Sequence, residues 1–268
     1  ASASATLTSA QIGTFAGTRY YRAVVTSGSC TAYSNVVSIT FNTKIWNGSS
    51  WIPAGAPTAL NAVIFQGNYT QAANSTLNAC SVRVESGNVV FSPNSNLVVQ
   101  NEVVRVGGTL TFENNASLVQ VNPSAVNSGY IVYKRNSQPM VQFDYTYWSS
   151  PLSPQTLVGL SPLTLSDKYF IFDPVANNYV QVPGNSLMEP GKGYIIRAPQ
   201  GFNASAQTFF GEFNGGANDG VPNNGTISID IVSPTTESYN LIGNPYPSAI
   251  DADEFYDDNQ ALIDGNFY

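Results

Sequence analysis

Between Val82 and Asn136 the apolar and turn positions repeat with a step of 21 residues. Val82 returns as Val103, Gly87 as Gly108 and Gly129, Val89 as Leu110 and Ile131, Phe91 as Phe112 and Tyr133, and Asn94 as Asn115 and Asn136. Leu97 with Leu118 and Val98 with Val119 keep the same spacing. Short apolar runs separated by Gly and Asn at a period of about 20 suit a β-solenoid, because one coil cannot bury its own apolar face and must stack on a copy. Turn positions match as well as core positions, which favours stacked coils over a chance likeness between hairpins of a sandwich. The pattern predicts Phe91, Phe112 and Tyr133 in one inner stack. It also predicts Asn94, Asn115 and Asn136 in a column at a turn, where Asn can bond its own backbone and the Asn above it.

On either side of this stretch the pattern changes to simple alternation. Thr18–Thr26, a turn at Ser27–Cys30 and Tyr33–Phe41 read as half-buried strands, with Thr6–Ile12 as the strand before them. They resemble the last strands of an immunoglobulin-like module, which takes about 100 residues when complete, so residues 1–41 read as its C-terminal part. Residues 42–138 read as the solenoid with an N-terminal cap. Within that cap, Ile45–Trp51 predicts a hairpin around Asn47-Gly48 that brings Trp46 and Trp51 together. Ala62–Gln66 fits the repeat poorly and is expected to close the solenoid, and Cys80 shares parity with Val82 and Val84 and is expected to point into the coil.

Residues 139–268 read as an aromatic-rich antiparallel β-sandwich or jelly roll, truncated at its C-terminus. Its strands are predicted at Val141–Trp148, Tyr169–Phe172, Tyr179–Val182, Gly193–Arg197, Thr208–Phe213, Thr226–Val232 and Tyr239–Ile242. One helix is expected near the end, capped by Ser248 with Asp251 three residues on. The fold class is therefore all-β.

Composition narrows the chemistry. Charged residues make up 10 % of the chain, against about a quarter in an ordinary soluble domain, and the polarity comes from Asn, Ser, Thr and Gln. A net charge of −7 argues against nucleic acid or anionic lipid as partner. No apolar run reaches the roughly 18 residues of a membrane-spanning helix. Histidine is absent, which removes His-based triads and His-based zinc sites. The two cysteines, Cys30 and Cys80, are too few for a disulfide scaffold or an all-Cys zinc site. Cys30 is expected to pair with a cysteine upstream of this sequence, a bridge to Cys80 being the rival. The sequence opens on Ala1 without a basic-then-apolar leader and closes at Phe267-Tyr268 in what reads as mid-strand, so a piece of a longer protein is expected.

Several strings carry a family resemblance: Tyr21–Cys30, Leu110–Leu118, Tyr133–Asn136, Phe143–Pro151, Pro190–Tyr194 and Leu241–Ser248. Together and in this order, they resemble modules of large surface proteins and gliding-type adhesins of the Bacteroidota that are exported by the type IX secretion system. The resemblance implies an extracellular or outer-surface location, secretion or surface-attachment machinery as a partner, and an adhesive role. It brings no catalytic motif.

Three constellations remain. Asp251, Asp253, Glu254, Asp257 and Asp258, with Asp264 beyond, could supply oxygens to calcium. They lack the glycine and closing glutamate of an EF-hand loop, and a capped, solvated helix accounts for most of them. Trp46 and Trp51 could form a sugar-stacking platform or cap a core, and the cap is the commoner use of such a pair. Tyr145, Tyr147 and Trp148 complete the aromatic residues that could contact a glycan. Polysaccharide lyases and hydrolases also use β-solenoids, but here the repeated positions are Val, Leu, Phe, Gly and Asn, with no acid–base cluster on a coil face. The expectation is a non-enzymatic stalk or adhesive segment. The competing expectation is a glycan-binding accessory module of a secreted polysaccharide-degrading enzyme.

Overall fold

Strand accounts for about 40 % of the chain and helix for 5 %, and the centre is a β-solenoid of about five turns with about 20 residues per coil. The computed structural model describes residues 17–216, 218–235 and 238–264. The strand expected at Thr6–Ile12 and the closing Phe267-Tyr268 lie outside them.

The first four strands are β1 (Gly17–Tyr21), β2 (Val24–Ser27), β3 (Cys30–Tyr33) and β4 (Val37–Phe41). β1 pairs antiparallel with β4, and β2 with β3 around Gly28. The expected single strand Thr18–Thr26 is interrupted at Arg22-Ala23, and Tyr20, Val24, Val25, Tyr33 and Val37 are exposed rather than half-buried. Two-stranded ribbons offer no second layer on which alternate side chains could be buried.

Three parallel sheets then build the solenoid. Its strands are β5 (Thr43–Trp46), β7 (Ala62–Gln66), β8 (Tyr69–Gln71), β9 (Thr76–Ala79), β10 (Ser81–Ser86), β11 (Asn88–Phe91) and β12 (Asn96–Val99). They continue through β13 (Val103–Arg105), β14 (Thr109–Phe112), β15 (Ser117–Gln120) and β16 (Val132–Asn136), while β6 (Trp51–Ile52) folds back on β5. One sheet orders β13-β10-β7-β5, the second β16-β14-β11-β8 and the third β15-β12-β9. Val63, Val82 and Val103 align across the first, Phe91, Phe112 and Tyr133 along the second, and Leu77, Leu97 and Leu118 across the third. All nine are buried, so each coil contributes one apolar layer to a continuous column.

Register corrects three expectations. Ala62–Gln66 is a regular rung between β5 and β10, and the element that closes this end is the β5–β6 hairpin. Cys80 sits at a corner between Ala79 and Val82 and is only half-buried, because the turn there breaks the inward alternation. It stacks in a corner column with Asn101, whose Nδ2 donates to the Cys80 carbonyl at 3.2 Å, and Asn122 donates in turn to Asn101 Oδ1 at 3.1 Å. The turn column at the other corner is Asn74, Asn94 and Asn115, each at positive φ (56°, 61° and 64°), whereas Asn136 ends strand β16. Cys30 and Cys80 are both free thiols, Cys30 exposed on its ribbon.

Beyond β16 the ladder turns antiparallel. β17 (Tyr145–Trp148), β18 (Leu152–Ser153), helix α1 (Leu157–Leu160), β19 (Tyr169–Asp173), β20 (Asn178–Gln181), β21 (Tyr194–Arg197), β22 (Phe210–Phe213), β23 (Val221–Pro222) and helix α2 (Ala252–Asn259) complete the described elements. β22 adds to the open edge of β16, β18 pairs with β23, and β17-β21-β19-β20 form a four-stranded sheet. Tyr169, Tyr194 and Ile196 on the inner face of that sheet join Leu152, Leu157, Met188, Phe213 and the solenoid column in one apolar cluster. The expected strands at Thr226–Val232 and Tyr239–Ile242 belong to no ladder, apart from a single bridge between Lys192 and Ile242. The predicted strand at Val141–Trp148 is reduced to Tyr145–Trp148. Helix α2 is capped by Asp251, whose carboxylate accepts from the Asp253 and Glu254 amides at 2.9 and 3.2 Å, rather than by Ser248. No helix among the described residues is long and apolar enough to cross a membrane.

Candidate functional site

At the closed end of the solenoid, Trp46 and Trp51 face each other across the β5–β6 hairpin with ring centroids 5.3 Å apart and planes at 63°. Both also meet Tyr69 edge-on, and Trp51 meets the buried Phe65 at 5.7 Å. The Trp46 indole N–H donates to the Asn68 carbonyl at 2.7 Å. Burial pushes the Tyr69 hydroxyl up to about 12. Edge-to-face rings sealed onto a core present no flat shared plane, so the geometry here is that of a cap.

The other aromatic group lies at the far end. The alternation of β17 splits the trio suggested by the sequence: Tyr145 and Tyr147 point outward, 41 % and 57 % exposed, while Trp148 turns inward against Phe209 and Phe213 at 5.6 and 5.9 Å. Residues directly opposite in adjacent strands share a face, so the register Tyr147↔Ile195↔Phe170 and Phe172↔Tyr179 extends the outward set across the sheet. Tyr145 meets Phe170 at 5.9 Å, Phe172 meets Tyr179 at 5.4 Å, and the Tyr147 and Tyr179 hydroxyls share a hydrogen bond of 2.9 Å. That bond pushes the Tyr179 hydroxyl up to about 12. The result is a partly exposed aromatic band contributed by β17, β19 and β20, with Ile195 of β21 between them.

Beside this band opens a cleft of about 360 Å³ whose walls include Asn115, Tyr133, Arg135, Tyr147, Trp148 and Asn244. Arg135 lies opposite Gly211, where the missing side chain makes room: a Cβ there would come within 3.0 Å of both the Arg135 carbonyl and the Trp148 ring. The guanidinium stacks 4.0 Å over the Tyr133 ring, donates to the Lys134 and Ala116 carbonyls at 2.9 and 2.8 Å, and contacts the Tyr133 hydroxyl. Burial lowers the pKa of Arg135 and pushes Tyr133 up to about 12. Glu113, on the preceding coil, is paired with Lys134 at 2.9 Å. Among the described residues no carboxylate lies within ion-pair distance of Arg135. Nothing in the local sequence marks Arg135, because the cleft is assembled from segments about residues 115, 135, 148 and 244.

The acidic residues of α2 are divided by the helix. Asp251, Glu254 and Asp258 face an open groove of about 980 Å³ between β15 and the extended segment carrying Ile227, Ile229 and Ile231, and Asp253 and Asp257 are not among its lining residues. Asp251 spends its carboxylate on the cap. Among the described residues no group of three or more His, Cys, Asp or Glu side chains is placed to hold a metal ion.

No curated protein and no solved structure matches the chain. Residues 1–43 match the model of a domain of unknown function, DUF8696, and residues 39–268 match that of a second one, DUF8693. Over that second span, which contains the solenoid, the aromatic band and the Arg135 cleft, the chain belongs to the DUF8693 family.

Proposed function

We propose that the chain is a non-enzymatic adhesive segment of a large secreted or surface-displayed protein, in which the solenoid is a rigid spacer and the far sheet carries the contact surface. The observation that carries this reading is the aromatic band on a face turned away from the core, with Tyr145, Tyr147 and Tyr179 exposed and Phe170 and Phe172 half-buried between them. Aromatic side chains on a stiff sheet give large contact area at small entropic cost, which is what a recognition surface needs. An extracellular setting, secretion or attachment machinery as partner, and type IX export are part of the proposal, supported by the resemblance of the strings from Tyr21–Cys30 to Leu241–Ser248.

A second reading is a glycan-binding accessory module of a polysaccharide-degrading enzyme. The Arg135 cleft favours it, since a polar recess beside an aromatic face suits a sugar unit. Both readings expect binding without turnover. The intact chain is incubated with plant, algal and bacterial polysaccharides, with and without calcium, and reducing ends and unsaturated products are measured. Neither should rise above the protein-free control. Products that form and then vanish in an Asp251→Asn, Asp253→Asn double variant would overturn the proposal.

A further inference from the structure

We infer that the cleft at Arg135 binds an acidic sugar unit, with the sugar's carboxylate or sulfate facing the guanidinium and its ring lying against Tyr147 and Trp148. The inference rests on the glycan reading and narrows it to a ligand class.

Charge carries the argument. Among the described residues Arg135 is the one charged residue lining the cleft, and no Asp or Glu lines it. The Lys134 and Ala116 carbonyls and the Tyr133 hydroxyl hold the guanidinium in place, but they are neutral and do not cancel its charge. A guanidinium has five N–H donors in a planar fork, so these three contacts leave donors for a ligand. Removing a cation from water without a counter-ion is costly, and an anion that enters restores the balance. Carboxylate and sulfate oxygens match the fork geometry and form charge-assisted hydrogen bonds.

Shape and surroundings agree. A volume of about 360 Å³ is at the lower end of the roughly 300–1,000 Å³ of small-ligand sites, which suits one sugar unit with the rest of a chain running over the aromatic band. Tyr147, Trp148 and Tyr246 offer apolar ring surface, and Asn115 and Ser248 offer hydrogen-bonding groups. The chain's net charge of −7 repels polyanions at long range. Any preference for an acidic over a neutral sugar therefore has to arise locally.

The test is isothermal titration of the intact chain with three ligands: a tetramer of galacturonic acid, its fully methyl-esterified form, and a sulfated galactose tetramer. Esterification removes the charge and leaves the protein untouched, so the comparison does not depend on a variant folding. At least one acidic oligomer should bind about ten-fold or more tighter than the ester, and which one does so assigns carboxylate or sulfate. Arg135→Met should abolish that preference and Arg135→Lys should keep part of it, with folding checked by urea unfolding. Binding of both acidic oligomers no tighter than that of the ester would overturn the inference while leaving the glycan reading standing. Absence of binding by all three would overturn the inference and count against the glycan reading. A preference that survives Arg135→Met would place the anion elsewhere and equally overturn it.

Discussion

Replacing Phe112 by alanine is expected to lower the free energy of unfolding by about 3 to 5 kcal/mol. Phe112 is fully buried in the middle of the column, with its ring stacked on Phe91 at 5.0 Å and 13° and tilted against Tyr133 at 6.4 Å. Truncation removes the transfer energy of the ring and leaves a cavity between two layers. Those layers are held at the strand spacing by the β11–β14 and β14–β16 ladders and cannot collapse into it. Coils of a solenoid contact only their neighbours, so a weak central layer also uncouples the halves. Urea unfolding of the two proteins gives the difference, and a loss below about 1 kcal/mol would mean that the column is not the packed core described here.

Gly108→Ala is expected to cost about 2 to 5 kcal/mol, the sum of a left-handed backbone penalty and overpacking. Gly108 has φ of +66°, and a Cβ added there would lie 2.2 Å from the Gly87 carbonyl oxygen. Gly87 in turn has φ of +81°, and its own added Cβ would lie 2.3 Å from the Gly67 carbonyl carbon. Here the coils touch backbone to backbone, and no rotamer change relieves the overlap. Gly201 separates the two contributions, because it has φ of +96° with nothing within 4 Å of its added Cβ. Gly201→Ala should cost only the backbone part, about 1 to 2 kcal/mol. Equal losses at Gly108 and Gly201 would contradict the close approach of the coils.

The repeat that makes these residues important was legible because layers and corners recur together from Val82 onward. It faded upstream for a geometric reason. Val63 pairs with Val82 at 19 residues and Tyr69 with Val89 at 20, so shorter corners shift the phase while the layers stay aligned. Cys80 and Asn136 went astray for related causes: parity carried through a corner assigned one, and spacing carried into a strand assigned the other. In the segment after β23, the half-buried alternation of Ile227, Ile229 and Ile231 was readable, but alternation reports a side and not a ladder partner. The division of Tyr145 and Tyr147 from Trp148 follows from strand parity alone. Arg135 could not be found this way, since its significance comes from Trp148, Asn244 and Gly211, which are distant in the chain.

The location of the contact surface is the central functional claim, and retention on immobilised glycans tests it most directly. The intact chain is compared with Tyr147→Ala, which removes an exposed ring from the band, and with Trp51→Ala, which opens the cap at the opposite end. Folding of each is verified by its unfolding transition. Retention that is lost in Tyr147→Ala and kept in Trp51→Ala is the predicted result. Retention that survives Tyr147→Ala and disappears in a folded Trp51→Ala would place recognition at the cap and contradict the account.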